Sequence, residues 1–368
     1  SSSITATVYQ PYINCISGAD ILSISLSNRV QSIKPSQTLA ITARAKELRT
    51  QGLDIIGLGA GEPDFDTPDH IKEAAIQAIR DGFTKYTAVD GTPGLKQAVI
   101  DKFKRDNGLD YEMNQILVSV GGKQTSFNLL QALINPGDEV IIPAPYWVSY
   151  PDMTVLAEGV PVIVSAGIEQ AYKISPEQLE GAITDRSRLI FINSPSNPTG
   201  AVYSRDELAA LGEVLKKYPN ILIATDDMYE HILWTDSPFV NIVNACPELY
   251  DRTIVMNGVS KAYSMTGWRI GYCGGPANLV AAMKKTQSQS TSNPCSISQV
   301  AAEAALNGDQ GCIAPMLKAF KERHDFVVGR LNAINGIKCL PSDGTFYAFA
   351  DFREAIANRD GINNDLEL

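Results

Sequence analysis

Between Ile116 and Met256, short apolar runs alternate with longer stretches in which apolar residues return every three to four positions. The runs are Ile116–Val120, Asp138–Ile142, Val160–Val164, Arg188–Ile192, Ile221–Ala224 and Thr253–Met256. They lack the strict apolar–polar alternation of a half-solvated strand, so they predict strands covered on both faces. The stretches between them predict helices at Gln124–Ile134 and Ser204–Lys217, the second opening on a capping box of Ser204 with Glu207. This alternation implies an α/β fold with a mostly parallel sheet and helices on both faces. Ligands of such sheets sit beyond the carboxyl ends of the strands.

The flanks read differently. Leu39–Leu48 predicts a helix and Asp54–Leu58 a short strand. Thr67-Pro68 predicts a helix start, with Thr67 as N-cap and Pro68 in the first turn, and Gly82 as the stop. Leu95–Asn107 predicts another amphipathic helix. In the run Gly57-Leu58-Gly59-Ala60-Gly61-Glu62, Glu62 stands where a dinucleotide fingerprint needs its third glycine, and Pro63 follows. The run is better read as a turn aiming backbone N–H groups at a carboxylate. After Ser292-Asn293-Pro294 come helices at Ile297–Leu306 and Ile313–Ile334, then strands at Ile337–Leu340 and Thr345–Phe349. The expected division is an arm at 1–30, a smaller α+β domain from 31–64 and 312–368, and a large domain at 65–311.

Composition narrows the function. The 368 residues are 44% hydrophobic and 20% charged, as in a globular domain or two. No apolar run approaches a membrane span. The net charge of −10 argues against nucleic-acid or anionic-membrane partners. Six cysteines and three histidines, with no C-x-x-C pair, argue against a zinc site or a disulfide framework. The first residues lack a basic segment followed by a clean apolar one, so no secretory signal is read and a cytoplasmic setting is expected.

Candidate chemistry centres on Ser260-Lys261-Ala262-Tyr263-Ser264-Met265-Thr266-Gly267-Trp268-Arg269. Lys261 follows the apolar run Thr253–Met256. A lysine at the end of a buried strand is desolvated, which lowers its pKa and makes its amine nucleophilic. Arg269 offers a permanently charged fork for a phosphate. An amine beside a phosphate clamp is what pyridoxal 5′-phosphate (PLP) requires. Gly122, Trp147, Asn197, Asp226 and Lys261 all fall at predicted strand ends, which gathers them at one edge of the sheet.

With those residues in view, nearly the whole chain resembles the class I aminotransferases, most of all the bacterial-type aspartate aminotransferase subgroup. The motifs are KPSQT, AGEPDFDTP, VGGKQ, PAPYWVSY, NSPSNPTG, DDMYEH and SKAYSMTGWRIGY, in the family's order. The resemblance implies the three-layer PLP-transferase fold. It makes Lys261 the Schiff-base lysine and proton carrier, and sets Asp226 against the pyridine nitrogen. Tyr229 and Asn197 would donate to the phenolic oxygen, and Trp147 would stack on the ring. The backbone of Gly122 and Lys123, with Ser260 and Arg269, would hold the phosphate. Gly258 replaces a serine that many relatives carry. Tyr86 would reach the phosphate of a neighbouring subunit, which implies a homodimer with shared sites.

Gly61 resembles the residue whose N–H meets the substrate carboxylate. Lys123, Ser36 and Thr38 match the positions that meet an acidic side chain. The implied reaction moves an amino group between an L-amino acid, aspartate or glutamate, and a 2-oxo acid. Aromatic amino acids or prephenate are the alternative substrates, and a PLP lyase the alternative reaction. The family's arginine for the substrate α-carboxylate belongs to the closing strands of the small domain, so the C-terminal part of that domain is expected to be incomplete within these residues.

Overall fold

The computed structural model describes residues 24–35, 37–365 and 367. Most of the predicted N-terminal arm, and Ser36, lie outside those residues. The centre of the molecule is a seven-stranded sheet in the order β1-β7-β6-β5-β4-β2-β3. The strands are β1 (Ile116–Ser119), β2 (Glu139–Ala144), β3 (Val160–Ser165), β4 (Ser187–Asn193), β5 (Leu222–Asp226), β6 (Thr253–Gly258) and β7 (Gly271–Gly274). Pairing is parallel from β3 through β2, β4 and β5 to β6. Only β7 runs against its neighbours, β6 and β1.

Successive residues of every strand but the edge strand β3, where Val160 and Ile163 are exposed, feed two separate cores. Ile190, Ile192, Ile223 and Val255 pack on one face, against Leu95, Leu208, Leu211 and Ala301 from covering helices. Leu189, Phe191, Ala224 and Ile254 pack on the other, against Leu129, Leu130, Val280 and Met283. Both faces are therefore apolar, which is why the strand sequences show no polar alternation. Helix, sheet and helix make three layers.

The predicted helices form with small boundary shifts. Arg205–Lys216 begins on the expected capping box of Ser204 and Glu207. Pro93–Lys102 passes into a π-helical turn at Phe103–Asn107. Three expectations are corrected. Asp54–Leu58 is not a strand: it pairs with nothing in the sheets, and Ile56 and Leu58 are exposed. Thr67 is not the N-cap of Asp69–Arg80; Pro68 holds that place, and the Thr67 hydroxyl donates to Ser264 O at 2.7 Å. The C-terminal hairpin pairs β8 (Lys338–Cys339) with β9 (Ala350–Asp351) rather than with Thr345–Phe349. Thr345 has φ +67°, a turn geometry incompatible with an extended strand, so the run of apolar residues misleads.

Strand β7 and the helix Ala277–Ser288 carry little periodic signal and are missed by the pattern. The two glycines of β7 have a steric purpose. A Cβ on Gly271 would strike the backbone of Gly121 and Gly122. That close approach brings the start of β7 to the same sheet edge as the ends of the parallel strands.

Candidate active site

Beyond β6 the chain turns tightly, with Met265 N–H donating to Ser260 O at 3.0 Å, and Lys261 projects from this turn. Its amine donates to Gly61 O at 2.5 Å. Among the described residues no carboxylate forms an ion pair with it. Burial, aided by the charge of Arg269, pulls the amine from its ordinary value near 10.5 down to about 8; Glu62 and Asp226 oppose that shift. An appreciable fraction of the amine is therefore neutral and nucleophilic near neutral pH.

Asp226 closes β5. Its Oδ2 accepts from the Tyr150 hydroxyl at 2.6 Å and its Oδ1 from Met228 N–H at 3.3 Å. Burial raises its pKa, and these bonds and Lys261 only partly offset the rise. A cation placed against this carboxylate would restore its charge. The carbonyl of Asp226 accepts from Asn193 Nδ2 at 2.8 Å, while Asn193 Oδ1 accepts from Asn197 N–H at 2.7 Å. Two strand ends are thus tied together and the Asn197 loop is held over the cavity. Asn197 Nδ2 lies 3.5 Å from the Tyr229 hydroxyl.

These groups surround a cavity of about 470 Å³. Every site residue predicted from Gly61 to Arg269 lines it, except Tyr86. Tyr86 is 92% exposed and lies in a separate hollow with Lys85, Thr291 and Cys295. Ser36, and the side chain of Thr38, are outside what the structure describes. Lys123 sits with its amine 5.1 Å from the centre of the Trp147 ring. Burial and then the charge of Arg269 lower its pKa. Gly61 meets Lys261 through its carbonyl.

Tyr150, Asn193, Phe346 and Tyr347 escaped the sequence reading. Tyr150 lies inside the motif PAPYWVSY, yet nothing local shows that its hydroxyl returns to β5. Tyr347 comes from the C-terminal segment, where the strand pattern itself failed.

The residues fit PLP. Gly121 and Gly122 open the helix Gly121–Leu133, which has no side-chain cap, so its first N–H groups are free for an anion. Gly121 has φ +79°, and a Cβ there would strike the Arg269 guanidinium. The two glycines thus make a cradle that only glycine permits, next to a permanent cation. The same cavity is lined by the Asp226 carboxylate, the depressed Lys261 amine and the Trp147 indole.

An α/β sheet with a lysine and a carboxylate at its open edge defines a class of PLP-type transferases. Comparison with known proteins makes the assignment specific. Residues 53–366 match the family described as "Aminotransferase class I and II", and the chain belongs to that family. It is an aminotransferase. Over 334 residues it is 67% identical to the aspartate/prephenate aminotransferase of Nitrosomonas europaea, covering 91% of this chain and 84% of that protein. The protein of the same name from Cereibacter sphaeroides is 57% identical, covering 90% and 83%. The solved aspartate aminotransferase of Rhizobium meliloti superposes with a TM-score of 0.89 at 47% identity, covering 94% of this chain and 87% of that one. That of Thermus thermophilus, solved with maleate, gives 0.86 at 42%, covering 89% and 85%.

Proposed function

We propose that this chain binds PLP through Lys261 and transfers the amino group of aspartate or glutamate to a 2-oxo acid, such as 2-oxoglutarate or oxaloacetate. The observation that carries this reading is the single cavity in which a depressed lysine amine and the half-buried Asp226 carboxylate both lie, with the Gly121–Gly122 cradle and Arg269 beside them. Bound PLP supplies an electron sink that stabilises negative charge at the substrate Cα.

The protein's part is positioning and proton handling. Lys261 is nucleophilic because burial lowers its pKa, and its amine would carry the proton to and from the substrate Cα. Asp226, oriented by Tyr150, would hold a proton on the ring nitrogen of bound PLP. Tyr229 and Asn197 donate to the phenolic oxygen. The helix N-terminus, Ser260 and Arg269 hold the phosphate, and Trp147 covers a ring face. Lys123 has no carboxylate partner among the described residues and meets the second carboxylate of a dicarboxylic substrate, a role in which the family resemblance also enlists Ser36 and Thr38. Gly61 borders the α-carboxylate.

The names of the relatives favour prephenate as a second acceptor. Prephenate also carries a second carboxylate, so one cation serves both substrates. The exposed Tyr86 belongs, on this reading, to a homodimer in which it reaches the phosphate of the partner subunit. The small domain is assembled from residues 31–64 and 312–368.

The test uses the full natural chain loaded with PLP. Aspartate or glutamate alone should convert the bound cofactor stoichiometrically to its amine form, read in the visible spectrum, and a 2-oxo acid should reverse it. Turnover without any 2-oxo acid would mark a lyase and overturn the proposal.

A further inference from the structure

Tyr347 has no role in the chemistry described so far, yet its hydroxyl lies 2.7 Å from that of Tyr229. The two rings meet edge to face, with centroids 5.7 Å apart. This contact is built from both sides. Thr345 is fully buried at φ +67°, and its N–H donates to Ile232 O at 2.8 Å. The Thr345 hydroxyl accepts from Tyr347 N–H at 3.2 Å. Trp234 donates through its N–H to Asp343 O at 3.0 Å, and through its indole to Ser342 O at 2.8 Å. The segment carrying Tyr347 is thus laced to the residues immediately after Tyr229. On its other side, a Cβ on Gly61 would collide with the Tyr347 hydroxyl.

We infer that Tyr347 is a positioning residue for Tyr229. Tyr229 already has Asn197 Nδ2 directed at its oxygen. Either hydroxyl can donate in this contact; where Tyr347 is the donor, the Tyr229 proton is left to point into the cavity. A phenol that accepts a hydrogen bond becomes a stronger donor, because the chain polarises. Tyr347 thereby sets how strongly Tyr229 stabilises negative charge on an oxygen bound there. The charged and titratable groups facing the pair are Asp226, Tyr150 and Lys261, whose amine lies 6.0 Å from the centre of the Tyr229 ring. None of them forms a hydrogen bond to the Tyr347 hydroxyl, so Tyr229 is its identified partner among the described residues.

The inference rests on the PLP reading, and the two fail separately. Wild type, Tyr347→Phe, Tyr229→Phe and the double variant are loaded with PLP, and the visible absorbance is titrated with pH. Melting temperatures of the PLP-free proteins are recorded in parallel. Tyr229 donation stabilises the phenolate and so lowers the midpoint. Tyr347→Phe should therefore raise the midpoint by about half a unit to one unit, less than Tyr229→Phe does. The double variant should titrate like Tyr229→Phe alone, because Tyr347 acts only through Tyr229. Gly61→Ala, which displaces the Tyr347 hydroxyl without deleting it, should shift the midpoint in the same direction. An unmoved midpoint in Tyr347→Phe, with or without a lower melting temperature, overturns the inference. So does a double-variant shift equal to the sum of the singles. A wild-type protein that forms no titrating visible band overturns the PLP reading itself.

Discussion

A fully buried lysine, Lys102, and a half-buried one, Lys261, show how the same side chain becomes scaffold in one region and chemistry in another. Lys102 is fully buried and pairs with Glu230. It also donates to Asn107 Oδ1 at 2.8 Å. Glu230 accepts from Asn107 Nδ2 at 2.7 Å and from Asn257 Nδ2 at 2.9 Å. Burial would push the Glu230 carboxyl up, but Lys102, His231 and Asn107 outweigh it and hold it low. The charges neutralise each other and leave little reason to react. Lys261 has a backbone carbonyl for a partner, a depressed amine and an open cavity in front of it. Burial without an ion pair is what turns a lysine into a nucleophile.

The largest expected effect breaks the reactive side of that comparison. Lys261→Ala should abolish the visible band of the PLP-loaded enzyme and cut transamination by about 10³-fold or more. Retained turnover would show that another amine does the work. Next, Lys102→Met should leave Glu230 buried and uncompensated, costing about 3–5 kcal/mol in denaturant unfolding. A cost near zero would remove the distinction between the two lysines.

Lys123→Ala sharpens the comparison with a third cation, one kept for substrate. KM for dicarboxylic donors should rise by about tenfold or more, corresponding to about 1.4 kcal/mol, with a smaller change for a monocarboxylic donor. Equal effects on both would unseat the proposed role. The smallest effect concerns the PLP-free protein. Because the Lys261 amine lies near 8 when folded and 10.5 when unfolded, the unfolded chain binds the extra proton between those values, and stability rises with pH across that window. Lys261→Met removes the cost of burying the charge. The variant should therefore exceed wild type by about 1–2 kcal/mol below pH 8, after allowing for solvent at the cavity mouth, and the gap should close as pH passes 10.5. A gap independent of pH would mean that packing, not charge, is responsible.

Much of this was legible in the chain because parallel strands are short, apolar and separated by regular helices. Gly122, Trp147, Asn197, Asp226 and Lys261 stand at or just past the ends of such strands, so finding the strands brought these residues to one cavity. The reading failed where local signal and tertiary outcome diverge. Asp54–Leu58 has strand composition but no neighbour with which to pair. Thr67 has the side chain of an N-cap but bonds Ser264, nearly two hundred residues away. The Tyr150 and Tyr347 hydroxyls meet their partners, and Asn193 meets Asp226, only through contacts distant in sequence.

The amino-acid order by itself determined the layered sheet, its open edge and which lysine and aspartate stand there, since periodicity and strand-end position are local properties. Tertiary structure alone decided how reactive they are. The extent of the Lys261 depression, the Tyr150 bond to Asp226 and the Tyr347 contact with Tyr229 arise from burial and from neighbours brought in by folding; strand-end position points to desolvation but sets neither its extent nor a partner a hundred residues away.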